Sequence, residues 1–109
     1  MTMLTRRAAL TTLSAAAAVA ALPVRAAANH AVAIQNMRFN PADLAIKVGD
    51  SVTFTNMDGA PHTATADAGA FDTGKLTKGS TATLAFPAKG DFAYHCNIHR
   101  SMKAIIRVG

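Results

Sequence analysis

The sequence predicts an all-β fold, a small Greek-key β-sandwich, on three observations. Glycines recur about every ten residues, at 49, 59, 69, 79 and 90, each among Asp, Lys, Ser or Ala. No long segment with helical period lies between them, and several short segments alternate apolar with polar residues. The intervals are too loose and the sequences between them too different to be true repeats.

A first strand near Ala31 to Met37 is the least patterned. Leu44, Ile46 and Val48 alternate with Ala45 and Lys47, and Val52, Phe54 and Asn56 alternate with Ser51, Thr53 and Thr55. Gly49-Asp50 is expected to join these two as a tight hairpin. After the turn Asp58-Gly59-Ala60-Pro61, a strand is expected to begin at His62. Ala82, Leu84 and Phe86 alternate with Thr81 and Thr83, Lys89-Gly90 introduces a strand from Asp91 to Cys96, and the last runs from about Lys103 to Val108. Counting from Phe92, the inward face is Phe92, Tyr94 and Cys96, which sends His95 to the other side. Asn56 falls in phase with the core residues Val52 and Phe54, so its amide needs a buried partner and suits a tie between loops. Met37 and Met57 read as core or loop filler.

With 109 residues the chain has room for one domain. The net charge of +5 belongs largely to its start: the first 28 residues carry Arg6, Arg7 and Arg25 and no acid, leaving 8 basic against 6 acidic side chains. Those remaining cations are scattered with few aromatics between them, which removes the nucleic-acid class. Residues 1–28 combine a charged start, an Ala-rich apolar stretch from Ala8 to Leu22 and small residues at the end, the layout of a cleaved export signal. Thr5-Arg6-Arg7 with Leu10 resembles the twin-arginine type, with ordinary secretion as the rival route. Interrupted by Thr11, Thr12 and Ser14, the stretch falls short of the about 20 strongly apolar residues of a stable span, so no membrane attachment is expected after cleavage. Ala26-Ala27-Ala28 places the cut after Ala28, with Ala26 as the near rival, and residues 29–109 form the domain. His30 reads as an ordinary surface residue.

A domain of this size has a marginal core and gains from an added fixture. Its one cysteine, Cys96, cannot form an internal disulfide. In an oxidising compartment such a thiol is a liability unless buried, catalytic, paired between chains or metal-bound. Cys96-Asn97-Ile98-His99-Arg100-Ser101-Met102 sets a thiolate, an imidazole and a thioether on one short turn. That soft set suits copper better than magnesium, calcium or manganese, and His62 is the natural source of a second imidazole. Zinc is the chemical rival, but Met is a poor fourth ligand for it.

Asn56-Met57-Asp58, Pro61-His62-Thr63 and Tyr94-His95-Cys96 through His99 to Met102-Lys103 resemble the cupredoxins, the type 1 blue copper family. The two-residue gaps before His99 and Met102 look most like the amicyanin branch, and Phe39-Asn40-Pro41 and Gly49-Asp50-Ser51-Val52 extend the likeness over the whole domain. The resemblance implies one copper held by His62, Cys96 and His99 in a near-trigonal plane, with Met102 as a long axial contact. It implies too that Asn56 bonds to the ligand loop and steadies it, with Asn97 as a candidate partner. Two residues depart from the common pattern, Ile98 where relatives often carry Pro and Asn97 where they often carry Ser or Thr. The backbone N–H of Ile98 is expected to donate to the Cys96 sulfur, favouring Cu(I) and raising the reduction potential above that of an Ile98→Pro variant.

The function implied is a small periplasmic electron carrier cycling one copper between Cu(II) and Cu(I). No bond in a substrate is changed: there is no Ser-His-Asp order, paired carboxylate or phosphate loop, and the chain contains no Glu. Donor and acceptor would be redox proteins, such as a c-type cytochrome or a dehydrogenase, docking on the monomer near His99, Arg100 and Lys103. A periplasmic copper-delivery protein is the alternative.

Overall fold

The computed structural model describes residues 25–109, so most of the expected leader lies outside the described residues. Eight strands, and no helix, form within them: β1 (Asn29–Gln35), β2 (Arg38–Asn40), β3 (Asp43–Ile46), β4 (Ser51–Asn56), β5 (Thr65–Ala66), β6 (Thr81–Ala85), β7 (Gly90–His95) and β8 (Lys103–Val108). They make two four-stranded sheets, ordered β2-β1-β4-β6 and β3-β8-β7-β5. This is the expected β-sandwich.

The inner faces follow the alternation. Val32, Ile34, Phe39, Val52 and Phe54 from one sheet meet Ile46, Tyr94, Ile106 and Val108 from the other, all buried. Tyr94 is the hub, its ring 4.7 Å from that of Phe39 and 5.7 Å from those of Phe54 and Phe71. Edge-on contacts of this kind add to the burial of large rings.

Four expectations are corrected. The Gly49-Asp50 turn does not close a hairpin: β3 pairs with β8 and β4 with β1 and β6, so the turn carries the chain from one sheet to the other. Gly49 turns there with φ of 92°, which its missing Cβ permits, and Val48 is exposed instead of facing inward. The first strand starts two residues earlier, and Met37 sits in the β1–β2 turn, where Asn36 and Met37 both take positive φ. His62 begins no strand; it makes an isolated bridge with Leu76 ahead of the two-residue β5. Met37 and Met57 are half exposed outside the strands, which agrees with the loop reading of the two given for them.

β7 leaves its sheet at His95 and β8 re-enters at Lys103, and the two pair antiparallel with His95 opposite Lys103. The seven residues from Cys96 to Met102 therefore form a loop whose two ends are held side by side. At the same end of the sandwich, β4 ends at Asn56 and the chain turns through Asp58 to His62. The topology brings both chemistry-bearing segments together.

Candidate metal centre

The cysteine loop is closed by its own backbone. The Cys96 N–H donates to the Met102 carbonyl at 3.1 Å, and the Met102 N–H donates to the His99 carbonyl at 3.0 Å. Cys96 and Met102 are buried, His99 is half-buried and Ile98 is exposed. The loop thus turns two sulfur side chains inward and leaves an imidazole at the rim.

His62 is delivered from the opposite side. It exchanges two backbone hydrogen bonds with Leu76, at 3.1 and 2.7 Å, and its side chain is completely buried. Its Nδ1 lies 3.8 Å from the Cys96 sulfur, and its ring meets that of His99 edge-on at 5.0 Å between centroids. The other nitrogen, Nε2, sits 2.9 Å from a carboxylate oxygen of Asp58. Since the carboxylate can only accept, the proton belongs on Nε2, which leaves the Nδ1 lone pair facing the sulfur. A histidine fixed in that tautomer is ready to bind a metal. Among the described residues no three His, Cys, Asp or Glu side chains converge into a ready-made cluster, so His62 and Cys96 are the assembled pair, with the His99 ring against that of His62 and Met102 buried at the end of the same loop.

Two backbone donors face the thiol: Thr63 N–H at 3.3 Å and His99 N–H at 3.4 Å. Burial opposes ionisation of Cys96, but these donors, with a lesser contribution from Ile98 N–H and from His62, hold its pKa below the usual thiol value. The donors thus favour the anionic form that a metal-binding sulfur requires. The donor anticipated at Ile98 ranks behind Thr63 and His99, because the turn aims the N–H of residue 99, three positions after Cys96, at the sulfur.

Asn56 ties the loops differently from expectation. Its amide donates to the carbonyls of Ala60 at 2.9 Å and Leu76 at 2.7 Å, while its Oδ1 accepts the Asp58 N–H at 2.9 Å. It braces the segment that carries His62, and none of these bonds goes to the cysteine loop or to Asn97. The link between the two loops is Thr63, whose hydroxyl accepts the Asn97 N–H at 2.9 Å. The Asn97 side chain turns outward to His95 Nε2 at 2.8 Å, and His95 Nδ1 lies 2.6 Å from Asp67. Asp67 first and Asn97 second raise the His95 pKa. His95 is thus engaged outside the site, as its strand phase requires.

Asp58 and Thr63 are the residues that the sequence reading missed. Both stand within four positions of His62 in the turn already singled out, and a carboxylate so close to a candidate metal histidine is the available signal.

The donor set of one thiol, two imidazoles and one thioether, with His62 Nδ1 facing the sulfur, fits a copper ion better than a hard cation. The family described as copper binding proteins, plastocyanin/azurin family, matches residues 26–109. Amicyanin-alpha of Methylorubrum extorquens is 32% identical over 111 residues, covering 93% of each chain. Amicyanin of Paracoccus denitrificans is 32% identical across 71% of this chain, and chloroplastic plastocyanin of Tetradesmus obliquus 33% identical across 64%. The chain spans 63% and 56% of those two relatives' lengths. Among solved structures, the oxidised state of an amicyanin mutant superposes with a TM-score of 0.70 at 29% identity, over 74% of this chain and 82% of that one. A copper-containing nitrite reductase from Thermus scotoductus superposes with a TM-score of 0.71 at 32% identity, but over only 25% of that chain. The likeness to the enzyme is therefore confined to one part of it.

Proposed function

The chain belongs to the plastocyanin/azurin family of copper-binding proteins, and from that premise we propose that it is an exported carrier of single electrons. The buried pair of Cys96 Sγ and His62 Nδ1, with N–H donors already aimed at the sulfur, is the observation that carries this reading. His62, Cys96 and His99 would hold one copper ion, and Met102 would supply a thioether. Bound there, the ion supplies a Cu(II)/Cu(I) couple.

The rest is done by the chain. Thr63 N–H and His99 N–H share the charge of the thiolate, and Asp58 keeps the Nε2 proton on His62. Asn56 locks the turn that presents His62, and Thr63 couples that turn to the cysteine loop. Donors held on fixed loops move little when one electron arrives or leaves, which keeps transfer fast. Four protein donors leave no position for a substrate, in contrast to catalytic metal sites that retain water.

His99 is the half-buried donor and the port for electrons. Its chain neighbours Ile98 and Arg100 are exposed, as is Lys103 at the start of β8. An apolar spot fringed by positive charge suits transient docking of a redox protein with an acidic patch. The leader reading places this exchange in the periplasm, reached by the twin-arginine route.

A visible absorption titration of the exported protein with Cu(II), beside a Cys96→Ser control, tests the reading. An intense blue charge-transfer band that saturates at one copper and is missing from the control supports it. Equal binding by the control removes the thiolate site.

A further inference from the structure

Far from the cysteine loop, the chain entering β1 is fastened to Asp50. This carboxylate is completely buried and accepts from both terminal nitrogens of Arg25, at 2.9 and 3.1 Å. It also accepts the Ala28 N–H at 2.9 Å and the Lys47 N–H at 3.0 Å, and His30 Nε2 lies 2.9 Å away. The Ala28 carbonyl in turn accepts the Ser51 N–H at 3.0 Å, the step before β1 pairs with β4 from Asn29 and Ser51 onward. Residues 25–28 are therefore bound to the sandwich through a bidentate side-chain pair and backbone bonds on either side of Ala28.

A peptidase needs an extended segment free of other partners around the bond it cuts. The Ala28–Asn29 bond lacks that freedom: one side is tied to Asp50 and Ser51, and the other starts an inner strand. Cutting there also strips Asp50 of its guanidinium partner, and a buried carboxylate deprived of a charged donor destabilises the fold.

We propose that the leader is cut upstream of Arg25, so that the released protein keeps Arg25 as the clasp of its first strand. The step is hydrolysis of one peptide bond by a signal peptidase: water gives its hydroxyl to the carbonyl of the leader and a proton to the amine of the released domain. The inference rests on the reading of the first residues as an export leader, and it replaces Ala28 as the cut.

The full chain is produced in a bacterial host with working export, and the intact mass of the periplasmic protein is measured. A shortened mass that still includes Arg25 is expected. A chain beginning at Ala27 or Asn29 overturns the inference but leaves the leader reading standing, whereas an uncut mass overturns the leader reading and the inference with it. The same preparation with Arg25→Ala is melted beside the parent. A midpoint lower by a few degrees is expected, and an unchanged midpoint contradicts the clasp.

Discussion

Asp58 and His62 are joined at 2.9 Å, and the same carboxylate accepts the backbone N–H groups of Asn36 at 2.8 Å and Met37 at 3.0 Å. One side chain thereby holds the β1–β2 turn in its positive-φ conformation and fixes the tautomer of a buried histidine. The Met37 N–H first, then those of Asn36 and the His62 ring, outweigh desolvation and keep the Asp58 carboxyl below its usual range. A fixed negative charge beside the imidazole favours the more positive oxidation state of an ion bound there.

Asp58→Asn should therefore raise the reduction potential of the copper-loaded protein. One charge a few ångströms from the ion at an effective dielectric of about 20 corresponds to a shift on the order of 100 mV. Voltammetry at neutral pH checks this, and a lowered potential contradicts the role assigned to the carboxylate.

Thr63 separates stability from redox tuning. Thr63→Val removes the hydroxyl that accepts the Asn97 N–H but keeps the backbone N–H that faces Cys96. A loss of about 1 kcal/mol in urea denaturation is expected, with a potential shift much smaller than that of Asp58→Asn. A large potential shift without loss of stability would reverse the assignment.

Asn56 is fully buried with three hydrogen bonds. Asn56→Ala leaves the Ala60 carbonyl and the Asp58 N–H unpaired and takes one of two donors from the Leu76 carbonyl, at a cost of about 2–3 kcal/mol in chemical denaturation. Ile98→Pro is expected to lower the potential only slightly, because the Thr63 and His99 donors remain.

Acid should unfold the protein partly through Asp50. Arg25, then the Ala28 N–H and His30, hold its carboxyl far below the usual carboxylate range. The unfolded chain takes up the proton first, near the ordinary value of about 3.9, so the stabilisation is complete above that pH and is lost progressively as pH falls toward the depressed folded value. Thermal melts from pH 7 to pH 2 should show a flatter acid limb for Asp50→Asn than for the parent, starting from lower stability at neutral pH.

Much of this architecture is legible in the chain, and the exceptions have local causes. Alternation around Val52, Phe54, Tyr94 and Cys96 identifies the inner faces because burial on a pleated strand imposes a period of two. Gly49-Asp50 misleads because a tight turn looks the same whether the next strand returns beside its neighbour or crosses to the facing sheet; that choice is made by the pairing of β3 with β8. The sequence also presents His62, Cys96, His99 and Met102 as candidates by spacing and chemistry. It leaves the partners of Asn56 open, since a buried amide must be satisfied but alternation does not say by which carbonyl. The Asp50 clasp is hidden for another reason: Arg25 reads as part of a leader, outside the domain whose carboxylate it meets.

The most direct test of the central claim is voltammetry of the copper-loaded protein with and without a Cu(I) chelator. The carrier account predicts a reversible one-electron wave with fast exchange, which persists on repeated cycling and is unchanged by the chelator. A wave that collapses as the reduced protein surrenders its copper would contradict it and favour copper delivery.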